Sequence, residues 1–163
     1  MDQVTFSGNQ LYVGSREMRE WSCSRAPDPA HYRPILHAQA SPTGKLVVSL
    51  DKGGDLKLWD LSRPALNERI WKGSIGHADE ITAIGVADDG SRLALAAGLT
   101  VRVYELRGSG ALQFIEQVNL AVWAPQFTGT IVQLAWIDND HVTCIDEKGV
   151  AGILTRQPLW KIE

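Results

Sequence analysis

Cysteine is scarce in this chain. Cys23 and Cys144 are the two cysteines among 163 residues, too few for a disulfide framework. They suit a reducing, cytoplasmic setting with both thiols packed as small apolar groups. Basic charge is not in excess either. Sixteen Lys and Arg stand against nineteen Asp and Glu, for a net charge of −3. A binder of phosphate backbones needs a concentrated basic face, so nucleic acid is not an expected partner. No apolar run reaches the roughly 18 residues of a membrane span. The start, MDQVTFSGNQ, lacks the charged-then-apolar order of a secretory signal. Helical periodicity is missing too, since no segment of 11 or more residues repeats its apolar positions at about 3.6. Phenylalanine is rare at three residues, whereas tryptophan reaches six and glycine fifteen. That imbalance points to a fold with a fixed place for Trp and many tight turns.

What is present is repetition, which is sought before any single motif. The segment GKLVVSLDKGGDLKLWDL (44–61) runs through a β-branched stretch, a Gly-rich turn, alternating leucines and Trp59-Asp60. VTFSGNQLYVGSREMREWS (4–22) has the same order and ends near Trp21. A third copy spans 81–106 with Asp89-Gly90 as its first turn and Tyr104 in the place of Trp. A worn fourth copy spans 131–154, with turns at Asn139-Asp140 and Lys148-Gly149. Aligning Trp21, Trp59, Tyr104 and Leu154 gives spacings of 38, 45 and 50 residues. The first two lie near the ~40–45 residue period of four-stranded propeller blades. The excess in the third sits in 118–129, where a loop absorbs it cheaply. A weaker fourth strand is expected in three copies, at 68–73, 113–118 and 159–163. In 24–34 the prolines, which cannot donate to a ladder, leave room only for a short edge strand. The chain therefore reads as all-β, about fourteen to sixteen short strands in one domain. The expected blades are 1–34, 35–74, 75–129 and 130–163.

Gly76-His77, Asp89-Gly90 and Leu58-Trp59-Asp60 together resemble the WD-repeat (WD40) β-propeller family, over nearly the whole chain as four copies. The resemblance implies a WD40-like propeller of four four-stranded blades. It also implies a hydrogen-bonded set in each well-formed repeat: a Gly-His histidine, a strand-b Ser or Thr, a turn Asp and a strand-c Trp. No copy looks complete. The third has His77 but Tyr104 for Trp. The second has Ser49, Asp51 and Trp59, but its histidine, taken as His37, lacks a preceding Gly. The fourth has Asp146 but no Trp. Apolar stacking is therefore expected to outweigh the polar set.

Members of that family close with about seven blades, within a general range of 4–8. Four blades form half or part of a ring, or close alone as a four-bladed one; an open arc leaves two apolar flanks of a size soluble monomers rarely show. The expected function is a non-enzymatic protein–protein interaction module or scaffold, part of a larger assembly. The expected partner is another propeller half or a second copy of the chain. The alternative is a small-ligand or catalytic propeller with its site in a central channel.

No metal or cofactor is expected. His31, His37, His77 and His141 lack zinc spacing. His31 is read as solvated in a Pro-rich loop and His77 as a structural hydrogen-bonding residue. Ser91, His77 and Asp89 can be drawn as a triad, but Ser91 has no strained G-x-S-x-G turn. No catalytic residue is assigned. Asp88, Asp89, Asp138 and Asp140 are read as turn residues. Candidate protein-binding residues fall in three places. The loop 118–129 offers Leu120, Trp123 and Phe127, as aromatic anchors dominate interfaces. The proline-stiffened arm 24–34 offers Tyr32. The b–c turns offer Arg16, Glu17, Lys52, Glu147 and Lys148, with Asp51 and Asp146 on the same rim.

Overall fold

The computed structural model describes residues 2–7, 10–15, 23–25, 31–61, 69–108, 110–157 and 159–162, with side chains for 31–61, 71–108 and 110–156. Among these residues four antiparallel sheets follow one another along the chain, each a meander whose sequence neighbours are also its spatial neighbours. The first contains β1 (Asp2–Ser7), β2 (Gln10–Ser15) and β3 (Cys23–Arg25). The second contains β4 (Ile35–Ala40), β5 (Leu46–Asp51), β6 (Asp55–Asp60) and β7 (Arg69–Ser74). The third contains β8 (Ala83–Val86), β9 (Arg92–Ala97), β10 (Thr100–Leu106) and β11 (Leu112–Asn119). A single helical turn, α1 (Leu120–Trp123), leads to the fourth, with β12 (Ile131–Asp138), β13 (His141–Asp146), β14 (Ala151–Gln157) and β15 (Leu159–Ile162). In the first sheet the third strand begins two residues beyond Trp21, pairing Cys23 to Arg25 with Gly14 to Tyr12. Trp21 itself lies outside the described residues.

The innermost strands pack in chain order: β1 on β4, β4 on β8, β8 on β12. Among the described residues β1 and β12 make no comparable contact, so the row is open. Two clusters fill the gaps between neighbouring sheets. Val48, Leu50, Leu56 and Leu58 meet Ile84, Val86, Leu93 and Leu95 between the second and third sheets. Ala94, Ala96, Val101 and Val103 meet Leu134, Trp136, Val142, Cys144 and Leu154 between the third and fourth. On the other side of the second sheet, Ile35, Val47 and Trp59 form a smaller group. Each buried Val, Leu or Ile contributes about 1.5–3 kcal/mol over leaving it exposed, so stacking of sheets is the main source of order.

This stacking is legible in the second strands. All six positions of β5 are buried, and so are the four central positions of β9. A strand buried on both faces loses the alternation of a half-buried one. β13 keeps that alternation: Val142, Cys144 and Asp146 are buried, while His141, Thr143 and Ile145 are half-buried. Among the described residues no further sheet lies against its other face.

Turn chemistry fixes the strand ends. After β5 the chain turns through Gly54 at φ 93°, whose N–H donates to Asp51 O and whose carbonyl accepts from Ile75 N. A Cβ there would sit 2.1 Å from the Ile75 carbonyl oxygen. The a–b turns are tied across sheets. Thr43 donates its N–H and hydroxyl to Asp88 (2.9 and 2.7 Å), and Asn139 donates to Asp89 (3.1 Å). Asp89 and Asp138 also accept from the backbone two residues on, at Ser91 and Asp140, the usual reason for Asp in such turns.

Candidate functional site: a polar set and two exposed surfaces

The second sheet carries a complete four-residue hydrogen-bonded set. The His31 ring contacts Ser49 Oγ through Nε2 at 2.6 Å and Asp51 Oδ2 through Nδ1 at 3.1 Å. Trp59 Nε1 donates to the same Ser49 oxygen at 2.9 Å. All four side chains are buried. Asp51 Oδ1 in turn accepts from the Gly53 and Asp55 amides. A neutral His31 fits every contact: Nδ1–H donates to the carboxylate, and Nε2 accepts from the Ser49 hydroxyl. Burial, aided by the charge of Lys57, lowers the His31 pKa against the opposing pull of Asp51. Two expectations are thereby corrected. His31 is not solvated, and the second copy is not incomplete. Its histidine is His31, not His37, whose Nε2 instead donates to Ile81 O at 2.8 Å.

The signal was a spacing rather than a dipeptide. His31 lies four residues before buried Ile35, His77 four before buried Ile81, and Phe127 four before buried Ile131. Strand register aligns the rest. Val47 pairs with Trp59, Leu93 with Tyr104 and Val142 with Leu154. The positions of Ser49 and Asp51 are thus taken by Leu95 and Ala97 in the third sheet, and by Cys144 and Asp146 in the fourth. In the fourth sheet Phe127, Cys144 and Leu154 make an apolar version of the set, all buried. Burial pushes the Cys144 thiol up to about 12. Burial alone would raise the Asp146 pKa, but amides of Val150, Gly129 and Lys148 outweigh it and hold the carboxyl below its usual range. In the third sheet His77 turns outward. It adopts φ 56° and its side chain is 82% exposed, 3.8 Å from Glu80. The expected structural role of His77 is therefore not found. Nor does it meet Ser91, whose hydroxyl donates to Asp89 at 2.6 Å within the turn.

The candidate docking residues divide. Trp123 is 68% exposed and Val122 69%, projecting from α1. Leu120 and Phe127, in the same loop, are 0% and 2% exposed. They are corrected from docking residues to core residues, because both side chains are buried in the cluster between the third and fourth sheets. Tyr32 is 82% exposed, with Lys57 Nζ 5.9 Å from its ring centroid. Lys52, Glu147 and Lys148 are exposed. Lys148 Nζ donates to Thr128 Oγ1 at 3.0 Å and Glu147 Oε1 accepts from Thr130 N at 3.2 Å, so this turn joins the loop that carries Trp123. Lys52 N donates to Pro34 O, beside the Tyr32 segment. Asp51 and Asp146 are buried, binding turn amides instead of facing solvent from the rim. Arg16 and Glu17 lie outside the described residues.

Between the innermost strands lies a cavity of about 210 Å³ bordered by Leu36 to Gln39, Ala83, Ile84, Val132 and Gln133. His37 is the ionisable residue on its wall, and that ring is engaged with Ile81.

No family model matches the chain, and no curated protein does. Among solved structures it is similar to Hsv2 of Kluyvelomyces marxianus, at 13% identity with a TM-score of 0.63. The likeness covers 95% of this chain and 50% of that one. The fold is a partial β-propeller. Each sheet is a blade, and the chain spans about half the length of the propeller it matches.

Proposed function

We propose that this arc is a non-enzymatic protein–protein interaction module of WD-repeat type, completed by blades that lie outside the present sequence. The observation that carries this reading is the alternating burial of β13, beside the continuous burial of β5 and β9. The open face of the fourth blade presents Ala135, Thr143 and Ile153 in one cross-strand row and Ile145 with Ala151 in the next. None of these belongs to a core cluster among the described residues. On the second and third blades the corresponding face is covered by the next blade. The occupant of this face is therefore another blade flank, apolar and flat. The His31–Ser49–Asp51–Trp59 set supports the WD-repeat kinship, as the arrangement expected of a well-formed copy. Trp123 and Tyr32 supply aromatic anchors for a further contact at the rim, and the buried thiol of Cys144 suits the reducing cytoplasm.

Sedimentation of the isolated chain over a range of concentrations tests the reading. Deprived of other blades, the bare flank should pair with the flank of a second copy, giving concentration-dependent association. Ile153→Lys should abolish that association with the fold retained. A chain that stays monomeric throughout, or associates equally well as the variant, would refute it.

A further inference from the structure

Where the third blade should carry its polar set there is an open cleft of about 350 Å³. Its walls include Ile75 and Ile81, Leu95 and Ala97, with Tyr104 and Arg102 beside them. Leu95, Ala97 and Tyr104 are the residues in register with Ser49, Asp51 and Trp59. The corresponding space is filled by an imidazole in the second blade and by the phenyl ring of Phe127 in the fourth. In the third, the residue that should fill it is His77, and it stands outside.

The reason lies in the wall. Ser49 and Asp51 satisfy both nitrogens of His31, whereas Leu95 and Ala97 offer His77 no side-chain partner. A buried imidazole without hydrogen bonds is worse placed than a solvated one. The cleft is thus shaped for a ring that none of the described residues supplies. Its charge is one-sided as well. Among the described residues no carboxylate lines it, and Arg102 supplies a guanidinium. The Arg102 Nε donates to Gln117 at 3.0 Å, which holds the guanidinium beside the opening.

We propose that this cleft between the second and third blades binds a small aryl carboxylate, its ring against Leu95, Ala97 and Tyr104 and its carboxylate on Arg102. The site is separate from the open flank of the fourth blade and does not depend on it.

Titration calorimetry with indole-3-acetate, and with its uncharged amide as control, tests the proposal on the full chain. Saturable binding is expected, weaker for the amide by about tenfold, the scale of one charge-assisted contact. Arg102→Gln, a surface change, should remove the preference for the acid while leaving amide binding as it was. Ala97→Phe should fill the cleft and abolish binding of both. Should Ala97→Phe disturb the fold, the combination Leu95→Ser, Ala97→Asp and Tyr104→Trp offers a second route. It rebuilds the polar set, so His77 should move inward, seen as protection of its ring resonances, and binding should be lost. Absence of saturable binding, equal affinity for acid and amide, or binding that survives both ways of closing the cleft would overturn the proposal.

Discussion

The same substitution at two corresponding positions should have very different costs. His31→Ala removes a contact to a buried carboxylate and one to a buried hydroxyl. A hydrogen bond to a charged group is worth about 1.5–3 kcal/mol and a neutral one about 1 kcal/mol, so a loss of about 3 kcal/mol is expected. Asp51 and Ser49 keep their other donors, which limits the penalty. His77→Ala removes an exposed side chain that stands 3.8 Å from the Glu80 carboxylate. Such exposed pairs contribute little, and a change within about 0.5 kcal/mol is expected. Urea unfolding followed by tryptophan fluorescence measures both. In thermal melts, about 2–4 °C per kcal/mol for a domain of this size puts the His31→Ala midpoint roughly 6–12 °C lower. Equal losses at the two sites, or a His31→Ala cost below about 1 kcal/mol, would refute the assignment of the polar set to the second blade.

The pH dependence follows from the same ring. The folded His31 pKa lies below the 6.5 of the unfolded chain, chiefly through burial. As pH falls below 6.5 the unfolded state takes up the proton first. Stability should therefore decline through that range until the folded ring also titrates, and His31→Ala should flatten the decline in pH-dependent melts. Within the loop 118–129, Phe127→Ala should cost about 3–5 kcal/mol as a core truncation, whereas Trp123→Ala should leave the midpoint unchanged. If Trp123 anchors a partner, its loss should weaken that complex by about 2 kcal/mol or more, read by affinity measurement; unchanged affinity would remove it from the interface. Gly54→Ala should destabilise by more than about 1 kcal/mol, since φ is positive and Ile75 O stands in the way; a neutral melt would contradict the turn geometry.

Much of the fold could be read from the chain because sheet stacking writes itself into β-branched runs and turn residues. LVVSLD is buried at every position and RLALAA along its centre, whereas HVTCID alternates buried Val142 and Cys144 with half-buried His141, Thr143 and Ile145. The polar set was harder to read. His77 follows Gly and looks like the family's histidine, yet Leu95 and Ala97 deprive it of partners. His31 follows Ala and sits among prolines, yet Ser49 and Asp51 draw it inward. The identity of the neighbours across the sheet, and not the local dipeptide, decides which histidine is buried. The loop 118–129 shows the same limit. Its apolar residues are indistinguishable in sequence; the turn of α1, capped by Asn119 accepting from Ala121 N, buries Leu120 and leaves Trp123 out, and the next turn, Phe127 N–H to Ala124 O, leads to buried Phe127.

Hydrogen–deuterium exchange across the fourth blade, compared between the dilute chain and the chain at associating concentrations, examines the bare flank directly. Protection confined to β13 and β14 on association, and absent in Ile153→Lys, is the predicted result. Association that protects other strands while leaving β13 and β14 unchanged would contradict an arc completed through its fourth blade.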